Sequence, residues 1–188
     1  MFYLLSIFMR DIIFFGIQGC KTQAFKILEL YKNEFSYLST GDVFRALNSN
    51  NNAIGDYLKD KLNVQLIPDE VTISIFNVYF QTILDSDKKM LLDGYPRTKT
   101  QIDNLLNLVE KEKRDIIGVY FDLSENIAIE RMLSRGRDDD NLEAIRYRLK
   151  EYYEKTVPVV EYFASKKLVN IDAGRPVDEI FEDLKLVV

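Results

Sequence analysis

The chain has 188 residues, 47% hydrophobic and 29% charged, a composition that supports one domain around a single large core and excludes a disordered polymer. Its net charge of −5 does not draw the chain as a whole to nucleic acid or acidic membranes, so any anion site must be local. The sequence has no histidine and one cysteine, Cys20, which excludes imidazole acid-base chemistry, Ser-His and Cys-His nucleophiles, an intrachain disulfide and a cysteine zinc cluster.

Chemistry must therefore rest on Lys, Arg, Asp, Glu and backbone, and the lone cysteine fits a reducing, cytoplasmic setting. The first residues, "MFYLLSIFM", are apolar but too few to span a bilayer, and no basic residue precedes them as a secretory signal requires. Residues 1–8 read as an upstream extension or irregular tail, with Met9 a second possible start and a membrane-associating segment the less favoured reading.

The rest of the chain is organised around the stretch from Ile12 to Tyr31. An apolar run, Ile12 to Phe15, stops at Gly16, passes Gly19 and Cys20, and reaches Lys21-Thr22, after which apolar residues recur at helical spacing. This predicts strand, glycine turn and helix. Such a junction aims backbone N–H groups and the positive end of a helix at one point, and a lysine there favours a phosphate chain, although a plain strand-turn-helix has the same outline. The general phosphate-loop pattern, G-x-x-x-x-G-K-[ST], has glycines one and six residues before its lysine. Here Cys20 precedes Lys21 and Gly16 lies five residues back.

Further strands are predicted at Ser36–Leu38, Met90–Asp93, Ile116–Asp122 and Leu168–Asp172. None alternates apolar with polar, so each is expected to be covered on both faces, and the intervening helical segments complete a parallel, doubly wound α/β sheet. In such a sheet the ligand lies at the carboxyl ends of the strands, where the loops after Phe15, Leu38, Asp93 and Asp122 converge. The segment from Thr40 to about Ile73 is too long for a simple crossover, and its short amphipathic helices at Asp42–Asn48 and Asp56–Leu62 predict a helical subdomain.

"SRGRDDDN", residues 134–141, is a charged loop before a helix running from Leu142 to about Thr156. Asp140, three residues before Glu143, fits the cap of that helix, as Asp42 fits the cap of one starting at Val43. The residue before Pro158 is expected to be extended or kinked. Tyr147, Tyr152 and Tyr153 read as packing residues, and Lys166-Lys167 as solvated surface.

Four motifs in order, "GIQGCKTQA" (16–24), "STGDVFR" (39–45), "LLDGYPRTKTQ" (91–101) and "RMLSRGRDDD…IRYRL" (131–149), resemble the adenylate kinase family of nucleoside monophosphate kinases. The resemblance runs from residue 9 to 188. It implies a three-layer P-loop NTPase fold with a five-stranded parallel sheet and a single kinase domain over 1–188, with a monophosphate-binding insertion at 39–73 and a short lid loop at 134–141. The implied activity is reversible, Mg²⁺-dependent transfer, ATP + AMP = 2 ADP, by a cytoplasmic monomer without zinc, nucleic-acid or membrane partners.

By the same resemblance, Gly16, Gly19, Cys20, Lys21, Thr22 and Gln23 would contact the donor phosphates, with Arg131 stacked on the donor adenine and Arg175 near it. Arg45 and Arg97 would hold the acceptor's α-phosphate, while Arg135, Arg137 and Arg148 face the transferring group beside Lys21. Gly94, Thr40, Gln101 and the backbone of Ile67 would shape the acceptor site, and Thr40 with Gln101 favours AMP over UMP or CMP. Asp93 would orient waters of the Mg²⁺, whose hard oxygen ligation suits a carboxylate. Arg146 is left as a surface or supporting charge. Guanidinium groups suit this work because they are fixed planar donors matched to phosphate oxygens.

Against the family pattern G-x-x-G-x-G-K-G-T-Q the loop lacks the glycine before Lys21 and the glycine after it, and a third family glycine is missing between Val64 and Gln65. If the chain is as written, glycine's positive-φ turns and close backbone approach are lost there, and nucleotide affinity and rate should fall together. Single-residue losses confined to glycines, with intact flanks, instead point to glycine codons passed over in the written sequence, as when a reassigned codon is skipped. The intact mass of natively expressed protein is then expected to exceed that of these 188 residues by the missing glycines; a mass equal to theirs, or to the form starting at Met9, would refute this.

Overall fold

A computed structural model describes residues 10–20, 29–50, 52–62, 66–137 and 140–187. Five strands, β1 (Arg10–Gly16), β2 (Phe35–Ser39), β3 (Lys89–Asp93), β4 (Asp115–Asp122) and β5 (Leu168–Asp172), form one sheet in the order β2-β3-β1-β4-β5. Every pairing is parallel, with Phe14 opposite Asp93 on one side and Val119 on the other. The predicted α/β sheet is therefore present, with all five strands where the sequence places them.

The unalternating strands have a direct packing reason. Side chains along a strand point to opposite faces with period two. Ile12 and Phe14, with Leu91, Val119 and Phe121, enter one core, whereas Ile13 and Phe15, with Leu38, Met90 and Leu92, enter the other. The first core is roofed by α5 (Glu125–Ser134), α6 (Leu142–Glu151) and α8 (Val177–Lys185), which contribute Met132, Ile145, Leu149, Ile180 and Leu184. The second lies under α3 (Asp69–Leu84), α4 (Lys99–Lys111) and α7 (Val157–Ala164), through Phe76, Phe80, Leu105, Val109 and Phe163. Gly118 in β4 makes room for this layer, since a β-carbon there would lie 2.7 Å from Leu168 and 3.1 Å from the Phe15 ring. Among the described residues no helix is long and apolar enough to cross a membrane.

Helices α1 (Thr40–Asn48) and α2 (Ala53–Leu62) meet α3 over a small core of their own, Phe44, Leu58 and Ile67. Two capping expectations are corrected. Helix α1 begins at Thr40, not at Val43, because the Ser39 hydroxyl accepts from the Asp42 N–H. Asp42 thus sits in the first turn, and its carboxylate accepts from Arg45. Likewise Asn141, not Asp140, caps α6 by accepting from the Ala144 N–H at 2.8 Å. Asn141 does the capping because Asp140 is already engaged by two arginines.

Of the two expectations for the residue before Pro158, the extended one fails, and the helix is instead distorted just ahead of the proline. Val157 is helical at φ −56°, and the chain passes from α6 to α7 through a π-helical stretch, Tyr152–Thr156. The wider turn absorbs the missing proline N–H by shifting the hydrogen-bond register, so the helix continues through the proline. Lys166 and Lys167 are exposed as expected, though Lys167 also pairs with Asp115.

At the amino end of the sheet Asp11 is fully buried and accepts two bonds from Arg114, each 2.6 Å, and one from the Met90 N–H at 2.7 Å. Burial raises the Asp11 carboxyl above its ordinary range, outweighing the lowering effect of Arg114 and Met90. This clamp ties β1, β3 and the entry to β4. Arg114→Met leaves a buried carboxylate with only the Met90 N–H, so a loss of about 3 kcal/mol near neutral pH is expected in chemical denaturation. The Asp11 pKa should then rise further above its unfolded value. Because a raised folded pKa favours the protonated form, the deficit relative to wild type should shrink as the pH falls through that folded value.

Candidate active site

The chain leaves β1 toward one edge of the sheet and leaves β3 and β4 toward the other, so the loops part beside the carboxyl end of β1 and open a crevice there. A cavity of about 1200 Å³ occupies it, lined from the ends of β1, β2 and β3 by Gly16, Gly19, Thr40, Asp93, Gly94 and Gln101. Six arginines also line it: Arg45, Arg97, Arg131, Arg135, Arg137 and Arg148. A chain of net negative charge has thus gathered six of its ten guanidinium groups at one place.

The six come from different elements. Arg45 projects from α1 and is bonded by Asp42. Arg97 follows the turn after β3, and its burial lowers the guanidinium pKa; Asp93 counters that effect while Arg45 and Arg148 add to it. Arg131, on α5, donates to the Ala173 carbonyl at 3.1 Å. Arg135, just beyond α5, and Arg148, on α6, share Asp140, each with a 2.9 Å bond. Burial alone would raise the Asp140 carboxyl, but the hydrogen bonds from Arg135 and then Arg148 hold it below the usual range. Arg137 is exposed in the same loop and adds its charge to the field at Asp42. Arg148 also reaches Gln18, at 3.4 Å, in the loop after β1.

That loop is tight. The Cys20 N–H donates to the Ile17 carbonyl at 3.3 Å, with Gly16 at φ +133° and Gly19 at φ +96°. A β-carbon at Gly16 would sit 2.7 Å from the Cys20 sulfur, so glycine there lets the buried cysteine close the turn. Cys20 is fully buried in the core beside α5, away from the cavity wall. Lys21, Thr22 and Gln23 lie outside the described residues, as does the junction of Val64 with Gln65.

Around β3 the geometry is crowded. Asp93 accepts from the Tyr37 hydroxyl at 3.3 Å. Burial, reinforced by the Asp93 charge, raises the Tyr37 phenol well above its ordinary value, so it remains a donor. Thr40 is buried and donates to the Gly94 carbonyl at 2.9 Å. Gly94 has φ +80°, and a β-carbon there would meet Thr40 Oγ1 at 2.7 Å and Arg97 Nη2 at 2.8 Å. Glycine is required at that point for both conformation and space. Ile67 is buried and lines the cavity near Thr72.

Two residues assigned from the sequence are engaged differently. Gln101 reaches the wall, but its Oε1 accepts from the Arg97 N–H and its Nε2 donates to Asp69, both at 2.8 Å. Arg175 does not line the cavity; its guanidinium turns to Asp183, Glu179 and the Asp172 carbonyl. Sequence reasoning missed Tyr37 and Glu151, set by long-range packing, and Gln18, which lies within the first motif. Glu151 is buried on the wall and accepts from Lys155 at 2.6 Å. Of the tyrosines, Tyr152 packs against the core as expected but also lines the cavity, as Tyr147 does, and the exposed Tyr153 donates to Glu125.

A cavity rimmed by arginines at the carboxyl end of a parallel sheet is built for a chain of phosphates, and comparison with known proteins agrees. The adenylate kinase family model matches residues 16–168. This chain belongs to the adenylate kinase family. It is 34% identical over 188 residues to an adenylate kinase of Oenococcus oeni, covering 95% of this chain and 97% of that one. To an adenylate kinase of Corynebacterium urealyticum it is 38% identical over 149 residues, covering 78% and 81%. It is also 34% identical over 173 residues to UMP-CMP kinase 3 of Oryza sativa, covering 90% and 80%. The resemblance carried by the four motifs is thereby confirmed, and with it membership of the nucleoside monophosphate kinases, which are phosphotransferases.

Proposed function

We propose that this chain is an adenylate kinase that transfers the terminal phosphoryl group of ATP to AMP, giving two ADP, and the reverse. The observation that carries the reading is the ring of six arginines around one cavity of about 1200 Å³, above the roughly 1,000 Å³ at which pockets for single small ligands usually end. Two nucleotides meeting head to head bring their phosphates together, and transfer between them needs charge compensation, in-line positioning and exclusion of water more than covalent chemistry.

In this reading Arg45 and Arg97 bind the α-phosphate of AMP, and the Gly94 carbonyl, Thr40 and Gln101 bound its base. Arg135, Arg137 and Arg148 approach the transferring group, while Arg131 covers the donor base and Lys21 with the loop from Gly16 to Gln23 takes the donor phosphates. Asp42 and Asp140, which pair with Arg45 and with both Arg135 and Arg148, must yield them to phosphate oxygens. Asp93, the carboxylate that ends β3, fits a Mg²⁺ held mainly by phosphate and water, with its oxygens on the water shell. Bound with the nucleotide, Mg²⁺ would supply charge neutralisation to the phosphates.

Residues 39–73 and 134–141 are the parts that close over substrate, and closure excludes water from the phosphates. The lone buried cysteine suits a reducing cytoplasm, and the short lid loop suits a monomer. The likeness to a UMP-CMP kinase favours one alternative acceptor class. Coupled ADP-formation assays with AMP, UMP and CMP decide between them: turnover is expected with AMP at least tenfold above either pyrimidine nucleotide. Equal or better turnover with UMP or CMP would reassign the acceptor. Nucleotide binding without turnover of any acceptor would make the chain a binding protein.

A further inference from the structure

Gln101 is 2% exposed, yet it lines the large cavity, so whatever its amide presents there is set by its neighbours. Those neighbours leave no freedom of direction. The Arg97 N–H can only donate, and it meets the Gln101 oxygen at 2.8 Å. The Asp69 carboxylate can only accept while ionised, and it meets the Gln101 nitrogen at 2.8 Å. The amide orientation, ordinarily an ambiguous feature, is dictated by this pair of contacts.

Asp69 is itself held. Thr98 Oγ1 donates to both of its oxygens, at 3.0 and 2.9 Å, while accepting from the Gln101 backbone N–H at 3.3 Å. Asp69 and Thr98 belong to the wall of a separate cavity of about 640 Å³, so the carboxylate acts from behind the wall that Gln101 presents to the main cavity. It does not line the main cavity, and none of the family motifs includes it.

We propose that Asp69 is a positioning residue that fixes the direction of the Gln101 amide and thereby sets the preference of the acceptor site for adenine over 6-oxopurines. The inference rests on the reading of this cavity as the AMP site. With one N–H given to Asp69 and one lone pair taken by Arg97, the amide keeps one N–H and one oxygen lone pair for a base. Adenine offers an acceptor at N1 and a donor at its 6-amino group, which complements that pair. Hypoxanthine offers the reverse, N1–H and O6, and can be matched only by turning the amide over. The turned amide would set oxygen against the Asp69 carboxylate and N–H against the Arg97 N–H, so both buried contacts become repulsive.

The test is equilibrium binding of AMP and IMP by calorimetry to wild type, Asp69→Asn and Asp69→Ala, with thermal melts to establish folding. Asparagine keeps the shape but can turn its own amide to suit either direction of Gln101. Asp69→Asn is therefore expected to leave AMP affinity within about threefold and to cut the AMP-over-IMP ratio about tenfold, mainly by tighter IMP binding. A residue that merely supports the fold would weaken both ligands together. Should the asparagine variant be unfolded at the assay temperature, Asp69→Ala, which also removes the fixed acceptor, must show the same fall in ratio. An unchanged ratio in a folded variant overturns the role of Asp69 while leaving the AMP site intact. A wild type that binds neither nucleotide overturns the AMP reading and this inference with it.

Discussion

Guanidinium groups repel one another, and six of them on one cavity are stable only while anions stand among them. Within the protein those anions are carboxylates: Asp42 on Arg45, Asp140 on Arg135 and Arg148, and the charge of Asp93 acting on Arg97. Arg97 shows the constraint most clearly, since its burial and the charges of Arg45 and Arg148 all press against its protonated form. Phosphate oxygens are better partners for such planar donors than single carboxylates, being more numerous and more highly charged. In the proposed reading, nucleotide phosphates complete an electrostatic arrangement that the protein itself satisfies with aspartates.

The sheet makes this concentration possible. Strands sealed on both faces leave their carboxyl ends as the place where polar groups converge, and the loops after β1, β2 and β3 all open there. At the opposite end Asp11 and Arg114 join the same strands through a buried ion pair, so the scaffold is tied at one end and free to carry charged loops at the other. The Thr40 hydroxyl bonds the Gly94 carbonyl, and glycine at 94 leaves the space beside that turn which Thr40 and Arg97 occupy. The arrangement links backbone conformation to the placement of Arg97 within a few residues.

Much of this was legible in the sequence because its causes are local. Apolar runs without alternation located all five strands, and three of the four short motifs located the six arginines that line the cavity. What escaped was decided by competition between partners distant in the chain. Asp140 has the spacing of a helix cap, but Arg135 and Arg148 hold it more strongly than the helix end does, and Asn141 takes the cap. Ser39 takes the place of Asp42 in the same way. Pro158 predicts an extended residue or a kink before it, and a π-helical stretch there keeps Val157 helical. Tyr37 and Glu151 reach the site only through tertiary packing, and no spacing in the sequence announces them, whereas Gln18 lies within the first motif and only its bond to Arg148 is a long-range feature.

The central claim is that one cavity holds donor and acceptor together with arginines between them. Its most direct test is a calorimetric titration with two adenosines joined through five phosphates. The account predicts one molecule bound per chain, displaced by ATP and by AMP alike, with affinity falling as salt is raised. A compound that ATP displaces and AMP does not, or a stoichiometry of two per chain, would contradict it.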